Sequence, residues 1–407
     1  MFGGGTVPSL VAWLDASSED QRRMREIVNL FSERESRDEL GIGQVRDALS
    51  DILFPGTSTL LTRARYMLLI PWCFLAAARP GLSPDSIAQR VDANERNLIV
   101  ALKAESDGDG LLGKSAGTAL KNLPSSIYWV ALRQYGILTQ PTMSQADASA
   151  AGLGPVREQD VDEILPGAWS LTLPGLPDGF PHNTGGGFDL KNAEAGWLRE
   201  RMLEGSEGSL LSHLLDHRPE RDSGAPWLDP AVSELPADTH DSLTHARLFS
   251  FAMHGAALLY NLLLAEAYEE GGFDRVNGAV DRYQEQLATW RERQEVLAPD
   301  LASWDRDDFW ATILTRNQRA TSSRVFIDRW LDGIISDAAV DPATDSHLRY
   351  LIQRREQQHK GSQSRLRNTR LLQTWQGASG AGQLVFRWPQ VRGILTDLHD
   401  GLERTDA

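Results

Sequence analysis

A chain of 407 residues with 41% hydrophobic and 24% charged residues can build sizeable cores and two or three domains without covalent staples. Its single cysteine, Cys73, excludes an intrachain disulfide framework and a cysteine-rich zinc site, and fits a reducing compartment. The formal net charge of −15 excludes a protein coated in nucleic acid over its whole surface, yet 346–392 carries nine Lys/Arg against one acid, Glu356.

No basic segment followed by an apolar stretch opens the chain, so no secretory signal is expected. Helical periodicity dominates the chain. Met24, Ile27, Val28 and Phe31 are spaced for a helix over 18–32, with Ser17 or Ser18 as N-cap. Thr57 or Ser58, after Pro55-Gly56, caps a long segment running toward Ala78, with a kink expected at Pro71. Ser83-Pro84 opens the next helix, which continues with a break to about 104, and 124–135 is another, ended by Gly136. From 139 to 184 the sequence turns rich in Pro, Gly, Asp and Ser, with a short strand expected at 169–173.

Helices resume at 190–204, 209–217, 243–270 and 274–297. The uncharged run 248–265 reaches the lower length limit for a membrane span, but Ser250, His254 and Asn261 lie inside it, which favours a buried core helix. Further helices are expected at 321–335, 347–358 and 365–375. The turn Gly377-Ala378-Ser379-Gly380 then leads to a short apolar run at 384–388 and a terminal helix from Pro389. The fold class is mainly α, with two or three packed helical domains and minor β structure near 169–173 and 384–388. The expected divisions are an N-terminal helical domain (1–138), a Pro/Gly-rich connection (139–189), a central helical domain (190–300) and a basic C-terminal helical region (301–407).

Several blocks resemble one uncharacterised bacterial family. They are Arg37-Asp38-Glu39-Leu40-Gly41-Ile42-Gly43, Phe54-Pro55-Gly56-Thr57-Ser58-Thr59, and Thr62-Arg63-Ala64-Arg65-Tyr66 running on to Pro71-Trp72. The blocks Leu123-Pro124-Ser125-Ser126-Ile127-Tyr128-Trp129, His254-Gly255-Ala256, Leu259-Tyr260-Asn261 and Arg387-Trp388 are similar too. The resemblance implies a setting in anti-phage gene islands beside helicases and nuclease-like proteins, and it assigns no catalytic residue.

A few patterns bear on chemistry. Gly108-Asp109-Gly110-Leu111-Leu112-Gly113-Lys114-Ser115 satisfies the P-loop pattern, in which glycine amides wrap phosphates, Lys114 reaches the β/γ-phosphates and Ser115 holds magnesium. The pattern needs a buried strand before it, and 98–102 instead continues a helix, so an exposed turn is favoured over ATP and Mg binding. Asp178, Asp189 and Lys191 have the spacing of a metal-dependent nuclease, but Asp189 reads better as a helix N-cap. His213 and His217 lie four apart and lack a third ligand nearby, so no metal site is expected, and His254 reads as a hydrogen-bonded core histidine.

Two further patterns are cationic. Thr57, Ser58, Thr62, Arg63 and Arg65 read as a helix N-terminus able to take phosphate or carboxylate, or as a capped end whose arginines pair with Asp38, Glu39 or Asp47. Arg349, Arg354, Arg355, Lys360, Arg365, Arg367 and Arg370, interleaved with glutamines, form the best nucleic-acid surface, with Trp375 and Trp388 as base-stacking candidates. The alternative is docking on an acidic protein surface. The sequence therefore points to a non-catalytic, cytoplasmic accessory or scaffold subunit of an anti-phage system, with no cofactor and no membrane. Its expected partners are a helicase or nuclease, and DNA. The competing reading is a P-loop nucleotide-binding protein or a cryptic metal-dependent nuclease.

Overall fold

Apolar residues recurring at helical spacing make helices, and in the computed structural model they make fourteen α-helices among the described residues 38–151, 167–336 and 340–405. The helix expected at 18–32 lies outside those residues. No strand occurs among the described residues. The described residues divide into two compact units, each discontinuous in sequence: those within Gly43–Phe251 and Ser303–Ser322 and from Leu384 on, and those within Ala252–Ala302 and Ser323–Gln383 and from Asp38 to Ile42. Each unit draws on several of the linear divisions that composition suggests.

The larger unit is built around α2 (Tyr66–Ala77), which is buried on every side, as a helix apolar all round must be. Pro71 lies inside it without ending it. Against it stand α3 (Pro84–Glu105) and α4 (Pro124–Gln134), with α5 (Gln145–Ala150) packed on α3, and the same unit includes α1 (Gly43–Leu53). Farther along come α6 (Asn192–Gly205), α7 (Leu210–Leu214), the first part of α8 (Ala237–Glu270), α10 (Arg306–Arg316) and α14 (Trp388–Leu402). Ser83 caps α3 by accepting from the Ser86 amide, with Pro84 next to it, and α3 runs unbroken to Glu105.

The smaller unit holds the rest of α8 with α9 (Ala279–Ser303), α11 (Thr321–Ile335), α12 (Ser346–Lys360) and α13 (Thr369–Gln373). A side chain at Gly255 of α8 would put its Cβ 2.5 Å from the Trp290 ring of α9, so only glycine permits this approach. Trp330 of α11 donates its indole N–H to the Ala252 carbonyl at 2.8 Å. Asn261 holds the 377–380 turn, exchanging 2.8 Å hydrogen bonds with the amide and carbonyl of Ser379. By length and composition α8 could cross a membrane, and 89% of its most apolar window is buried within the protein.

Four local expectations need correction. The helix expected from Thr57 begins only at Tyr66, because the preceding amides bond elsewhere: Thr62 and Arg63 donate to the Tyr128 hydroxyl, and Ala64 to Asp397. The strand at 169–173 reduces to one antiparallel bridge between Trp169 and Leu138. Its neighbourhood is also core: Trp169 packs on Phe74 and Trp129, and Trp72 donates to the Pro174 carbonyl. At 384–388, Phe386 and Arg387 have φ of 51° and 66°, which no extended strand accommodates, and Trp388 already opens α14. The helix at 365–375 shrinks to Thr369–Gln373, since the Arg365 amide is held by the Glu356 carboxylate and Asn368 caps the short helix.

Candidate nucleic-acid interface

Arg65 lies wholly inside the larger unit. Its guanidinium forks onto the Glu194 carboxylate at 2.9 and 3.0 Å and donates to the Gly187 carbonyl at 2.8 Å. Arg63 lies over the Phe188 ring and grips Asp397 through Nε and Nη2. Thr62 donates its hydroxyl to the Gly110 carbonyl at 2.6 Å, and Thr57 donates its own to Phe54 at 2.7 Å. Ser58 accepts from the Leu60 amide. The Tyr128 hydroxyl accepts from the Thr62 and Arg63 amides and donates to the Arg63 carbonyl, filling its capacity. These groups form an internal brace, through carboxylates far along the chain that local sequence does not point to.

The P-loop pattern lands on turns. Gly108, Gly110 and Gly113 all have positive φ, and the loop leaves α3 and enters a single 3-10 turn at Gly117–Ala119. The Leu112 amide donates to Tyr66 Oη, the Lys114 amide to the Leu111 carbonyl, and the Lys114 and Ser115 side chains are exposed. Neither the preceding strand nor the succeeding long helix of a phosphate cradle is there.

Asp178, Asp189 and Lys191 share a loop closed on itself. Glu105 accepts from the Thr184 amide at 3.1 Å and the Gly187 amide at 3.2 Å, and Asp189 pairs with Arg404 at 2.9 Å. Lys191, rather than Asp189, takes the N-cap position of α6. His213 and His217 stack with ring centroids 4.0 Å apart, and each faces a backbone carbonyl. Among the described residues no group of three or more His, Cys, Asp or Glu is placed to hold a metal. Burial, helped by repulsion from Arg293, pushes the His254 imidazole down to about 4, and a backbone contact with Ala381 opposes the fall only in part.

The basic segment builds α12, a 3-10 turn (Gly361–Gln363) and α13 in the smaller unit, and its cations fall into two sets. Asp38-Glu39-Leu40-Gly41 lies along α12. Lys360 and Arg365 each reach Glu39 at 2.9 Å, while Arg355 donates to the Leu40 and Gly41 carbonyls at 2.7 and 2.9 Å. Burial opposes the charge on Glu39, yet the Lys360 and Arg365 cations hold its carboxyl below the usual range. A Cβ on Gly41, whose φ is 66°, would stand 2.5 Å from Arg355 Nη2, so glycine admits this clamp. Arg349 pairs with Glu266 and donates to the Ala343 carbonyl.

Arg354, Arg367 and Arg370 make up the second set. All three are exposed and have no acidic partner among the described residues. Arg367 and Arg370 line an open groove of about 670 Å³ together with Gly361, Ser362, Asn368 and Thr369. Trp375 and Trp388 are buried. They are 3% and 0% exposed, Trp375 packed on Tyr268 and Tyr283 and Trp388 donating to the Ser223 carbonyl. Sequence reasoning passed over Tyr350, an exposed aromatic on α12. The signal was present: Leu348, Ile352 and Glu356 form the buried stripe, and a residue offset by two positions points away from it.

Fold and site together define a mainly α-helical protein of two units whose basic segment is largely bonded from within, leaving Arg354, Arg367 and Arg370 without a side-chain partner among the described residues. Residues 8–401 match the family described as "Family of unknown function (DUF6361)", and the chain belongs to it. Neither a curated protein nor a solved structure matches it.

Proposed function

We propose that this protein is a non-catalytic accessory or scaffold subunit of a bacterial anti-phage defence assembly that contacts DNA through the outer face of α12, the adjoining 3-10 turn and α13. The observation that carries the DNA contact is that Arg354, Arg367 and Arg370 are exposed and unpaired among the described residues, with Arg367 and Arg370 lining an open groove. Guanidinium groups without internal partners are free to displace counterions from phosphates. The defence setting rests on the resemblance of the sequence blocks, and its partners would be the helicase or nuclease of the same assembly.

Fluorescence anisotropy with labelled DNA at low salt tests the contact. Replacing Arg354, Arg367 and Arg370 together by Gln should weaken binding at least about tenfold while leaving thermal stability unchanged. Replacing Arg355 and Arg365 should instead lower stability, because it releases the Glu39 segment. Wild-type protein that binds no DNA at low salt would remove the DNA contact. Saturable ATP binding lost in Lys114→Ala would favour the nucleotide-binding alternative. Co-purification of the tagged protein with the products of adjoining genes tests the scaffold role.

A further inference from the structure

α12 presents more than charge. Tyr350, Arg354 and Gln358 succeed one another at intervals of four on its exposed face, so they form a single row about 12 Å long by helical rise. Tyr350 is 57% exposed and has no aromatic or cationic partner among the described residues. Beyond Gln358 the chain passes to Gly361 and Ser362, which line the groove together with Arg367 and Arg370. A large exposed aromatic, an unpaired arginine one turn on and an amide after it thus follow one another along α12, and the turn that ends the helix leads into a cationic groove.

We infer that this row is a binding track for single-stranded DNA. A base stacks on the Tyr350 ring, and the backbone passes Arg354 and Gln358 to place phosphates at Arg367 and Arg370. The chemistry selects a single strand. A duplex keeps its base faces stacked inside and offers an exposed tyrosine only its backbone, whereas an unpaired base has a free π-face to lay on the ring. The unpaired arginines supply the backbone attraction and Gln358 supplies amide donors for phosphate oxygens. The acidic remainder of the molecule, within a total of −15, disfavours non-specific coating and leaves this track as the place where a polyanion settles.

The inference rests on the DNA-contact reading, and its test separates the two. The full chain is titrated against a labelled oligothymidylate of about twelve nucleotides, a span within known single-strand site sizes, and against a duplex of the same length. The single strand should bind more tightly. Tyr350→Ala should weaken single-strand binding about 5- to 100-fold, the range of a lost base stack, and leave duplex binding unchanged, while Tyr350→Phe retains single-strand affinity. Equal or tighter duplex binding, or a silent Tyr350→Ala alongside sensitive arginine variants, overturns the single-strand track and leaves the DNA contact standing. Absence of binding to either probe at low salt overturns both.

Discussion

Glu95 on α3 is a carboxylate in an apolar place, 1% exposed, that accepts from the Ser125 amide at 2.8 Å in the first turn of α4 and also from the Ser125 side chain. Burial pushes its carboxyl up to about 7, against the pull of that amide. In the unfolded chain the group titrates near its ordinary 4.5, so between 4.5 and 7 the folded state holds a proton that the unfolded state has lost. Stability from this group is therefore full below about pH 4.5 and declines as pH rises to about 7. Glu95→Gln, which can still accept from Ser125, should raise stability at pH 8 by up to about 3 kcal/mol and flatten the slope between pH 5 and 7. Urea unfolding at both ends of that window reads it, and an equal loss at pH 5 and pH 8 would show that the charged form is the favoured one. Arg65 is the opposite case, a buried cation with a bidentate partner. Arg65→Ala leaves Glu194 buried without its cation and should cost about 3–5 kcal/mol in the same assay.

Helices were legible wherever their hydrogen bonds close locally. The expected 321–335 and 347–358 correspond to Thr321–Ile335 and Ser346–Lys360, since apolar periodicity marks both and Asp345 caps the second. The start of α2 was illegible for the contrary reason: the amides before it are bonded to Tyr128 and Asp397, the latter 333 positions from Ala64. Phe386 and Arg387, inside the apolar run read as minor β structure, sit at positive φ, which no propensity pattern signals. Contacts between elements impose equally specific demands. Gly255→Ala should gain about 1 kcal/mol of helix propensity in α8 yet lower overall stability, because its Cβ drives into Trp290. A net loss of about 1–3 kcal/mol, with a shifted tryptophan emission, is expected; a rise in melting temperature would mean that α9 yields freely.

At the scale of the whole molecule, the sequence showed a basic end on an acidic protein but not which cations are available. Of the nine between 346 and 392, Arg349, Arg355, Lys360, Arg365, Arg387 and Arg392 are bonded internally, to Glu266, Glu39, Asp51 and backbone carbonyls. That division depends on pairs such as Arg365 with Glu39, 326 positions apart, which no local pattern reveals. It has a measurable consequence. For single strands the logarithm of affinity falls with the logarithm of salt at about −0.7 per phosphate neutralised, so three free arginines give a slope of about −2 and seven give about −5. Anisotropy titrations from low to near-physiological salt distinguish these values. A slope near −2 that flattens toward zero in the Arg354, Arg367, Arg370 variant fits a surface limited to the unpaired set. A slope near −5 would mean that binding pulls Arg349 away from Glu266, and Lys360, Arg355 and Arg365 away from Glu39 and its neighbours, and binding would then expose 38–41.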